Sequence, residues 1–361
     1  MRNTYPWYGT RRTGATRASP LASRPVYAIS IREPGGPEVL EWVEHPDPEP
    51  GEGEVVVDVV ASAVNRADVM QRQGNYPPPP GASEIPGLEC SGRISALGAG
   101  VTGWSVGDEV CALLAGGGYA EKVAVPAVQL LPVPDGVSLT DAGGLPEVAC
   151  TVWSNLAMTG HLREGETLLV HGGSGGIGTH AIQVGKALGA RVIATAGSPE
   201  RLQACLDLGA DLAIDYHDEL PDEVAKATDD RGVDVILDNM GASMLTANLA
   251  SLATGGRLVI IGLMGGAKTE INLGSMLGRR LSISTTTLRG RPVEGPDGKG
   301  VIVAATRDDL WPLVGQGRVR PVIHEYLPAA EASRAHEALD AGGVVGKLVL
   351  VVQDEDGVLG G

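Results

Sequence analysis

Hydrophobic residues recur along this chain of 361 residues in two different patterns. Over residues 26–134, short apolar runs alternate with turns rich in glycine and proline, which is typical of a β-rich region with few helices. Strands are predicted over residues 55–60, directly after the turn at 107–110, and over 119–125. The four prolines at 77–80 predict a stiff loop, because proline cannot donate to the hydrogen-bond ladder of a central strand.

The pattern changes near Asp141. From there to about Leu288, short apolar runs alternate with segments of helical character, and this predicts an α/β domain, a doubly wound parallel sheet with helices on both faces. A helix over 331–339 and a last strand over 347–352 close the chain, and the polar segment 290–300 connects the sheet back to the first region. The predicted strands of the sheet cover residues 167–170, 191–196, 211–215, 233–237, 257–262 and 281–285.

A glycine-rich turn follows the first of these runs and leads into a predicted helix over 179–189. Its glycines have GxGxxG spacing, which suits a tight turn, a close approach to a pyrophosphate and close packing of helix on strand. The free N–H groups of the helix would face the phosphates. A plain turn is the alternative, since the chain holds 52 glycines. The predicted cofactor contacts in the turn are Gly173, Ser174, Gly175, Gly176, Ile177 and Gly178.

Charge and composition narrow the choice of partners. The formal charge is −16, although residues 1–25 carry five arginines and no acid, so the remainder is more acidic still. An acidic body repels phosphate backbones and anionic membranes, which argues against nucleic-acid and membrane partners. No apolar run approaches the roughly 20 residues that span a bilayer. Residues 1–25 are predicted to be a disordered extension; a transit-like segment is the alternative.

The four cysteines are scattered and form no CxxC pair, which indicates buried thiols in a reducing, cytoplasmic compartment.

Several motifs together resemble the medium-chain dehydrogenase/reductase superfamily, and within it the zinc-independent, zeta-crystallin-like NAD(P)H:quinone oxidoreductases. The motifs are AVNRAD at 63–68, QRQGNYPPP at 71–79, GLECSG at 87–92, the glycine turn, LDNMG at 237–241, GRLVIIG at 256–262 and GK at 346–347. The resemblance implies a β-rich, chaperonin-10-like (GroES-like) domain over 26–148 and 290–361. It also implies a Rossmann domain over 149–289, with the active site between the two.

The resemblance also implies that the enzyme works without zinc. The positions at which zinc-dependent relatives hold catalytic metal correspond to Asn65, Leu88 and Glu147, and these three residues cannot supply the thiolate and imidazole ligands of that site. Without a Lewis acid, alcohol oxidation loses its main catalytic device, so an acceptor that takes up electrons readily is favoured. The predicted catalytic residues are Asn65, Tyr76 and Thr151, with Asn65 and Tyr76 acting on a quinone rather than on folding. The alternative is that Asn65 caps a turn and Tyr76 packs on the proline loop.

The cofactor is expected to be NADP(H). No acid occurs between Glu166 and Glu200, where NAD-specific sites place the ligand of the ribose hydroxyls. The resemblance instead assigns Ser198, Arg201 and Tyr216 to the 2′-phosphate, although Glu200 is a mild counter-signal. Further cofactor contacts are implied for Asn239, Gly262, Leu263, Met264 and Lys347. The lone histidines His171 and His180 are interpreted as structural.

Three functions remain open from the sequence. An NADPH-dependent quinone reductase leads, a reductase of activated alkenes such as enones or enals is the alternative within enzymes, and a nucleotide-binding sensor with little turnover is the alternative outside them. A homodimer is expected from the resemblance, with the β-prone segment 281–288 as the edge that pairs.

Overall fold

The structure is a computed structural model that describes residues 25–355. Most of the predicted extension at 1–25 therefore lies outside the described residues. The strands are β1 Val26–Ile31, β2 Leu40–His45, β3 Glu54–Ala63, β4 Glu89–Leu97, β5 Glu109–Leu113, β6 Lys122–Pro126, β7 Leu130–Pro132, β8 Thr167–Val170, β9 Arg191–Ala196, β10 Leu212–Asp215, β11 Val233–Asp238, β12 Leu252–Ile260, β13 Ser282–Thr285, β14 Ile323–Pro328 and β15 Lys347–Val351. The α-helices are α1 Arg66–Arg72, α2 Leu139–Ala142, α3 Pro146–Trp153, α4 Gly176–Ala187, α5 Pro199–Asp207, α6 Leu220–Ala227, α7 Leu245–Ser251, α8 Leu273–Arg279, α9 Lys299–Ala305, α10 Trp311–Gly315 and α11 Ala332–Ala341.

The second half of the chain forms a six-stranded parallel sheet in the order β10-β9-β8-β11-β12-β13. The first strand of this unit therefore lies next to the fourth, which is the Rossmann strand order, and a ligand site is expected at the point where the order reverses. Each of the six apolar runs predicted from the sequence is a strand of this sheet. The predicted α/β class is confirmed.

The glycine turn enters the helix earlier than predicted. Helix α4 begins at Gly176, capped by Gly175, and not at Thr179. A glycine pattern conceals a helix start, because glycine is a poor helix former and the periodic apolar residues begin only later. The last two turn glycines are thus part of the helix itself.

A seven-stranded sheet contains strands β3–β7 from the first part of the chain and strands β14 and β15 from its C-terminal part. Strand β3 lies in its middle and pairs antiparallel with β4, β6 and β15. Strand β15 comes from the C-terminal part of the chain, so the chain returns to the first domain as the resemblance implies. The predicted strand at 119–125 is shorter than expected, since Ala120 only bridges to Ala28 and the strand starts at Lys122.

The two sheets meet at the start of β15. The N–H of Gly346 donates to the carbonyl of Ser174 in the glycine turn over 2.8 Å. Gly346 has a φ of +84°, and a Cβ there would lie 2.1 Å from the carbonyl oxygen of Val322. A glycine is therefore required where the chain passes from the cofactor turn into the first domain. None of the helices within residues 25–355 is long and apolar enough to cross a membrane.

Candidate active site

The glycine turn between β8 and α4 is shaped by two glycines with different surroundings. A Cβ on Gly178 would lie 2.2 Å from the carbonyl oxygen of Gly172 and 2.6 Å from Gly173, so this glycine is required by packing inside the protein. A Cβ on Gly175 would meet only the Gly172 oxygen, at 3.5 Å. Protein packing therefore leaves Gly175 open on its outer face, where a pyrophosphate would approach.

Asn239 follows β11, the strand next to β8 in the sheet. Its Oδ1 is buried and has no hydrogen-bond partner among the described residues, which makes it an acceptor available to a ligand. The Asn239 carbonyl accepts from the N–H of Met264, and a Cβ on Gly262 would lie 2.9 Å from the same carbonyl oxygen. The side chains of Leu263 and Met264 are more than half exposed. These four predicted cofactor residues therefore lie together beside the glycine turn.

Ser198, Arg201 and Tyr216 lie together beyond the end of β9. The Ser198 hydroxyl caps helix α5 and accepts from the Arg201 backbone N–H at 3.4 Å and from Nε at 3.3 Å. The terminal guanidinium nitrogens of Arg201 make no hydrogen bond to a described residue. The Tyr216 ring lies against Gly197, whose missing Cβ leaves it the room, and is half exposed. Free guanidinium donors and a phenol at the rim fit a phosphate group.

Beside the glycine turn, a buried ammonium joins three segments that are distant in the sequence, and a Cβ on Gly176 would lie 2.6 Å from Lys347 Cδ. Lys347, the first residue of β15, directs Nζ to Glu89 Oε1 at 2.6 Å, to Asn65 Oδ1 at 2.7 Å and to the Val64 carbonyl at 3.3 Å. Glu89 begins β4 and is fully buried. We call Asn65, Glu89, Glu147 and Lys347 the Lys347 cluster. The role predicted for Lys347 in cofactor binding stays a prediction, and all three of its ammonium hydrogens are directed at protein acceptors.

Asn65 has a structural task, because it is the N-cap of α1 as the alternative interpretation of a turn cap predicted, and its amide is also bonded within the protein. Its Nδ2 donates to Glu89 Oε1 at 3.0 Å and to the Ala63 carbonyl at 3.2 Å. Its backbone N–H donates to Asp68 Oδ2 at 2.8 Å, at the start of α1. Both amide hydrogens are therefore in use within the protein, so a hydrogen bond to a quinone would have to displace one of them.

Glu147 completes the cluster from the first turn of α3. Its backbone N–H donates to Glu89 Oε2 at 2.9 Å, and its Oε1 accepts from Thr151 Oγ1 at 3.4 Å. Burial, reinforced by the negative charge of Glu89, raises the pKa of the Glu147 carboxyl to about 8. Burial likewise raises the pKa of Asp68 to about 6, against the effect of backbone hydrogen bonds from Asn65 and Gly87. The cleft therefore contains a carboxyl group that is protonated at neutral pH.

Tyr76 is held from the far end of the Rossmann sheet. Arg289 donates to the carbonyl of Tyr76 at 3.2 Å, and its guanidinium carbon lies 5.3 Å from the centre of the Tyr76 ring, a cation–π distance. The same guanidinium donates to Gln71 Oε1 at 2.6 Å and to the Ala115 carbonyl at 2.8 Å. This one side chain fixes the loop that carries Tyr76.

The donor set does not suit zinc. Leu88 is buried and supplies no ligand atom, and the ammonium of Lys347 already lies against Asn65 and Glu89. A second cation in the same place would be repelled. Within residues 25–355, no group of three or more histidine, cysteine, aspartate or glutamate side chains is arranged to hold a metal.

The two histidines interpreted as structural are buried. His171 lies 2.6 Å from Asn248 Oδ1 through Nε2 and 3.2 Å from Thr195 Oγ1 through Nδ1. Burial lowers the pKa of His180 to about 3, so this ring is neutral.

Glu89 and Arg289 are the residues that the sequence analysis missed. A carboxylate between Leu88 and Cys90, within an apolar run, was the available signal for Glu89. Arg289 gave no local signal, because its partners lie on the other domain.

Known proteins share this architecture. An alcohol dehydrogenase GroES-like domain model matches residues 51–135, and a zinc-binding dehydrogenase model matches residues 176–297. A quinone oxidoreductase from Pseudomonas aeruginosa is 35% identical over 320 residues, which cover 88% of this chain and 97% of that protein. One from Rattus norvegicus is 31% identical over 329 residues, covering 90% of this chain and 97% of that protein.

A solved structure agrees with these relatives. The crystal structure of Escherichia coli quinone oxidoreductase complexed with NADPH has a TM-score of 0.80 at 30% identity and covers 90% of this chain and 99% of that one. A GroES-like domain beside a Rossmann sheet with a dinucleotide turn defines a medium-chain dehydrogenase/reductase. Within that superfamily, the chain belongs to the quinone oxidoreductase family.

Proposed function

We propose that this protein is an NADPH-dependent quinone oxidoreductase that works without zinc. The observation that carries the proposal is an open glycine turn beside the Lys347 ammonium, which stands against Asn65, at a position where zinc-dependent relatives hold metal, and against Glu89. Such a cleft can position two rings and exclude water, but it offers no Lewis acid. A quinone fits, because the charge that develops on reduction spreads into its own ring.

The cofactor side follows from the same residues. When bound, NADPH supplies a hydride from its nicotinamide ring. We assign the pyrophosphate to the turn at Gly173–Gly178 and the 2′-phosphate to Ser198, Arg201 and Tyr216. Asn239 is assigned to the cofactor because its Oδ1 is a buried acceptor without a partner in the part of the chain that the structure describes.

On the substrate side, Tyr76 supplies an aromatic wall and Thr151 a hydroxyl. The guanidinium of Arg289 fixes the Tyr76 loop, which supports a fixed wall opposite the nicotinamide. Asn65 acts through its bonds to Lys347 and Glu89, so we assign it to the support of the pocket as well as to the substrate. Domain limits at 26–148 with 290–361, and at 149–289, are part of this proposal.

A turnover panel tests the proposal. Purified protein is mixed with NADPH or NADH and with para-benzoquinone, naphthoquinone or cyclohexenone, and cofactor oxidation is followed by absorbance. The expected result is rapid oxidation of NADPH by quinones. Preference for the enone would favour the activated-alkene alternative, and tight NADPH binding without turnover by any acceptor would favour the sensing alternative.

We also propose a cytoplasmic homodimer that binds neither nucleic acid nor membrane. Strand β13 ends the Rossmann sheet, and helix α8 beside it buries none of its side chains. Leu273 and Leu277 on this helix are 70% and 82% exposed, next to an edge that could pair with its symmetry mate. Light scattering should give a dimer, and Leu277→Asp should shift it toward the monomer. A wild-type mass of 37.1 kDa would contradict the dimer.

A further inference from the structure

Quinone reduction needs a proton as well as a hydride, and Glu147 is placed to supply it. We propose that Glu147 is the general acid that protonates the reduced substrate, with Glu89 holding its backbone N–H and Thr151 holding one oxygen of its carboxyl group. This inference rests on the proposed function and adds a catalytic residue to it.

The geometry fixes one side of the Glu147 carboxyl and leaves the other free. The backbone N–H of Glu147 is bound by Glu89 Oε2, and Oε1 accepts from Thr151 Oγ1. Oε2 makes no hydrogen bond to a described residue. This oxygen is not fully buried either, so it is open to the cleft. The half-buried side chain thus offers a free oxygen beside Thr151, which we place at the substrate.

The charges around Glu147 decide its protonation state. Glu89 and Asp68 disfavour a further negative charge, and Lys347 favours one. The cations Arg289 and Lys299 also interact with Glu147 from their own elements, whereas the buried Cys150 thiol within α3 is neutral. Lys347 and Glu89 are paired at 2.6 Å, so their opposite effects on Glu147 partly cancel and burial is the largest cause. Burial then keeps the carboxyl protonated up to a pH of about 8.

The step balances without a further reactant. Two electrons and one hydrogen nucleus reach the quinone as hydride, which leaves a negative charge on a substrate oxygen. The O–H bond of Glu147 breaks, and a new O–H bond forms on that oxygen to give the hydroquinone. The Glu147 carboxylate then takes a proton from water through the open side of the cleft. One turnover thus consumes one proton from solution.

Infrared spectroscopy tests the protonation state without turnover. In cofactor-free protein at neutral pH, the wild type should show a protonated-carboxyl band that Glu147→Gln lacks and that disappears above a pH of about 8. Glu337→Gln, which removes an exposed carboxylate on α11, is the matched control and should keep the band. Absence of a band that depends on Glu147 would overturn the inference.

Kinetics test the proton transfer. Glu147→Gln should lower kcat with quinone by about 100-fold, the lower range for loss of a general acid, while NADPH affinity stays near wild type and the melting temperature does not fall. Wild-type kcat should fall above a pH of about 8, and this decline should vanish in the variant. Glu147→Asp, which keeps the carboxyl, should recover part of the loss. Wild-type kcat and pH profile in Glu147→Gln would contradict the proposal.

The two proposals fail in different ways. A wild-type protein that does not reduce quinones with NADPH would contradict the proposed function. An ionised Glu147 at neutral pH in the infrared titration would contradict this inference, whichever acceptor the enzyme uses.

Discussion

The glycine turn and the Lys347 cluster meet at the start of β15 but are built in opposite ways. The turn is made of backbone, within a few consecutive residues, and its outer face at Gly175 is left open by protein atoms. The cluster is made of side chains, and the Lys347 bonds to Asn65 and Glu89 span 282 and 258 positions of the sequence. A backbone site can be recognised from a short motif, whereas a site of buried charges exists only once the whole chain has folded.

This difference predicts opposite responses to mutation. Substitutions in the cluster are expected to lower the free energy of unfolding, because each buried charge depends on its partner. Substitutions on the outer face of the turn are expected to change ligand binding, because no protein atom occupies that face. The predictions that follow test this separation, beginning with the largest expected effect.

Lys347→Met should destabilise the fold strongly. The side chains of Lys347 and Glu89 are 5% and 0% exposed, so removing the ammonium leaves a buried carboxylate without its cation. The expected loss is about 3–5 kcal/mol in the free energy of unfolding, measured by chemical denaturation. Lys186→Met is the matched control, because its ion pair with Asp211 is more than one-third exposed and should contribute less than about 1 kcal/mol. Equal losses in the two variants would contradict the account.

Arg201→Ala should act on one cofactor only. Its free guanidinium nitrogens are assigned to the 2′-phosphate, so NADPH binding should weaken by about 1–3 kcal/mol while NADH binding stays nearly unchanged. Isothermal titration with both nucleotides measures this. Equal losses for both would mean that Arg201 does not contact the 2′-phosphate.

Gly175→Ala should separate binding from folding. The new Cβ meets only one protein atom, at 3.5 Å, so the melting temperature should hold while NADPH affinity falls by about tenfold or more, equivalent to about 1.4 kcal/mol. Gly178→Ala is the comparison, because its Cβ would collide with Gly172 and Gly173 and should cost about 1–3 kcal/mol of stability. The same melting temperature in both variants would contradict the claim that Gly178 is required by packing and Gly175 is not.

The contribution of Asp68 and Glu147 to stability should fall as the pH rises from the acid range. The folded pKa is raised above the ordinary value for both Asp68, to about 6, and Glu147, to about 8. Their contribution is therefore fully present below their ordinary pKa values and is lost as the pH rises through the raised ones. Glu147→Gln should flatten the upper part of this decline in a thermal-melting series, and Glu337→Gln should not. Parallel curves for wild type and Glu147→Gln would count against a raised pKa.

The contrast between local and assembled sites also explains what the sequence could predict. The six strands of the Rossmann sheet and the glycine turn follow from local patterns and are confirmed. Helix α3 does not follow, because seven of its eight residues are buried and an apolar pattern on all sides carries no helical period. Helices α9 and α10 follow the predicted connection at 290–300, in a part of the chain for which no element was predicted. Helix α9 begins at Lys299, a buried cation that binds the Arg289 carbonyl.

The site divides along the same line. Ser198, Arg201 and Tyr216 were assigned through the resemblance, and the structure brings them together beside Gly197. The bonds of Asn65 to Glu89 and Lys347 could not be predicted. Asn65 follows the end of β3, Glu89 begins β4 and Lys347 begins β15, and no periodicity or spacing links these three positions. The raised pKa of Glu147 depends on that assembly and was equally out of reach.

The central claim is that this cleft reduces quinones with NADPH and uses no metal. The most direct measurement is NADPH-dependent reduction of para-benzoquinone by protein dialysed against a strong chelator, with zinc content determined on the same sample. The account predicts unchanged turnover in a metal-free sample and a preference for NADPH over NADH. Stoichiometric zinc, together with activity that the chelator abolishes and added zinc restores, would contradict it.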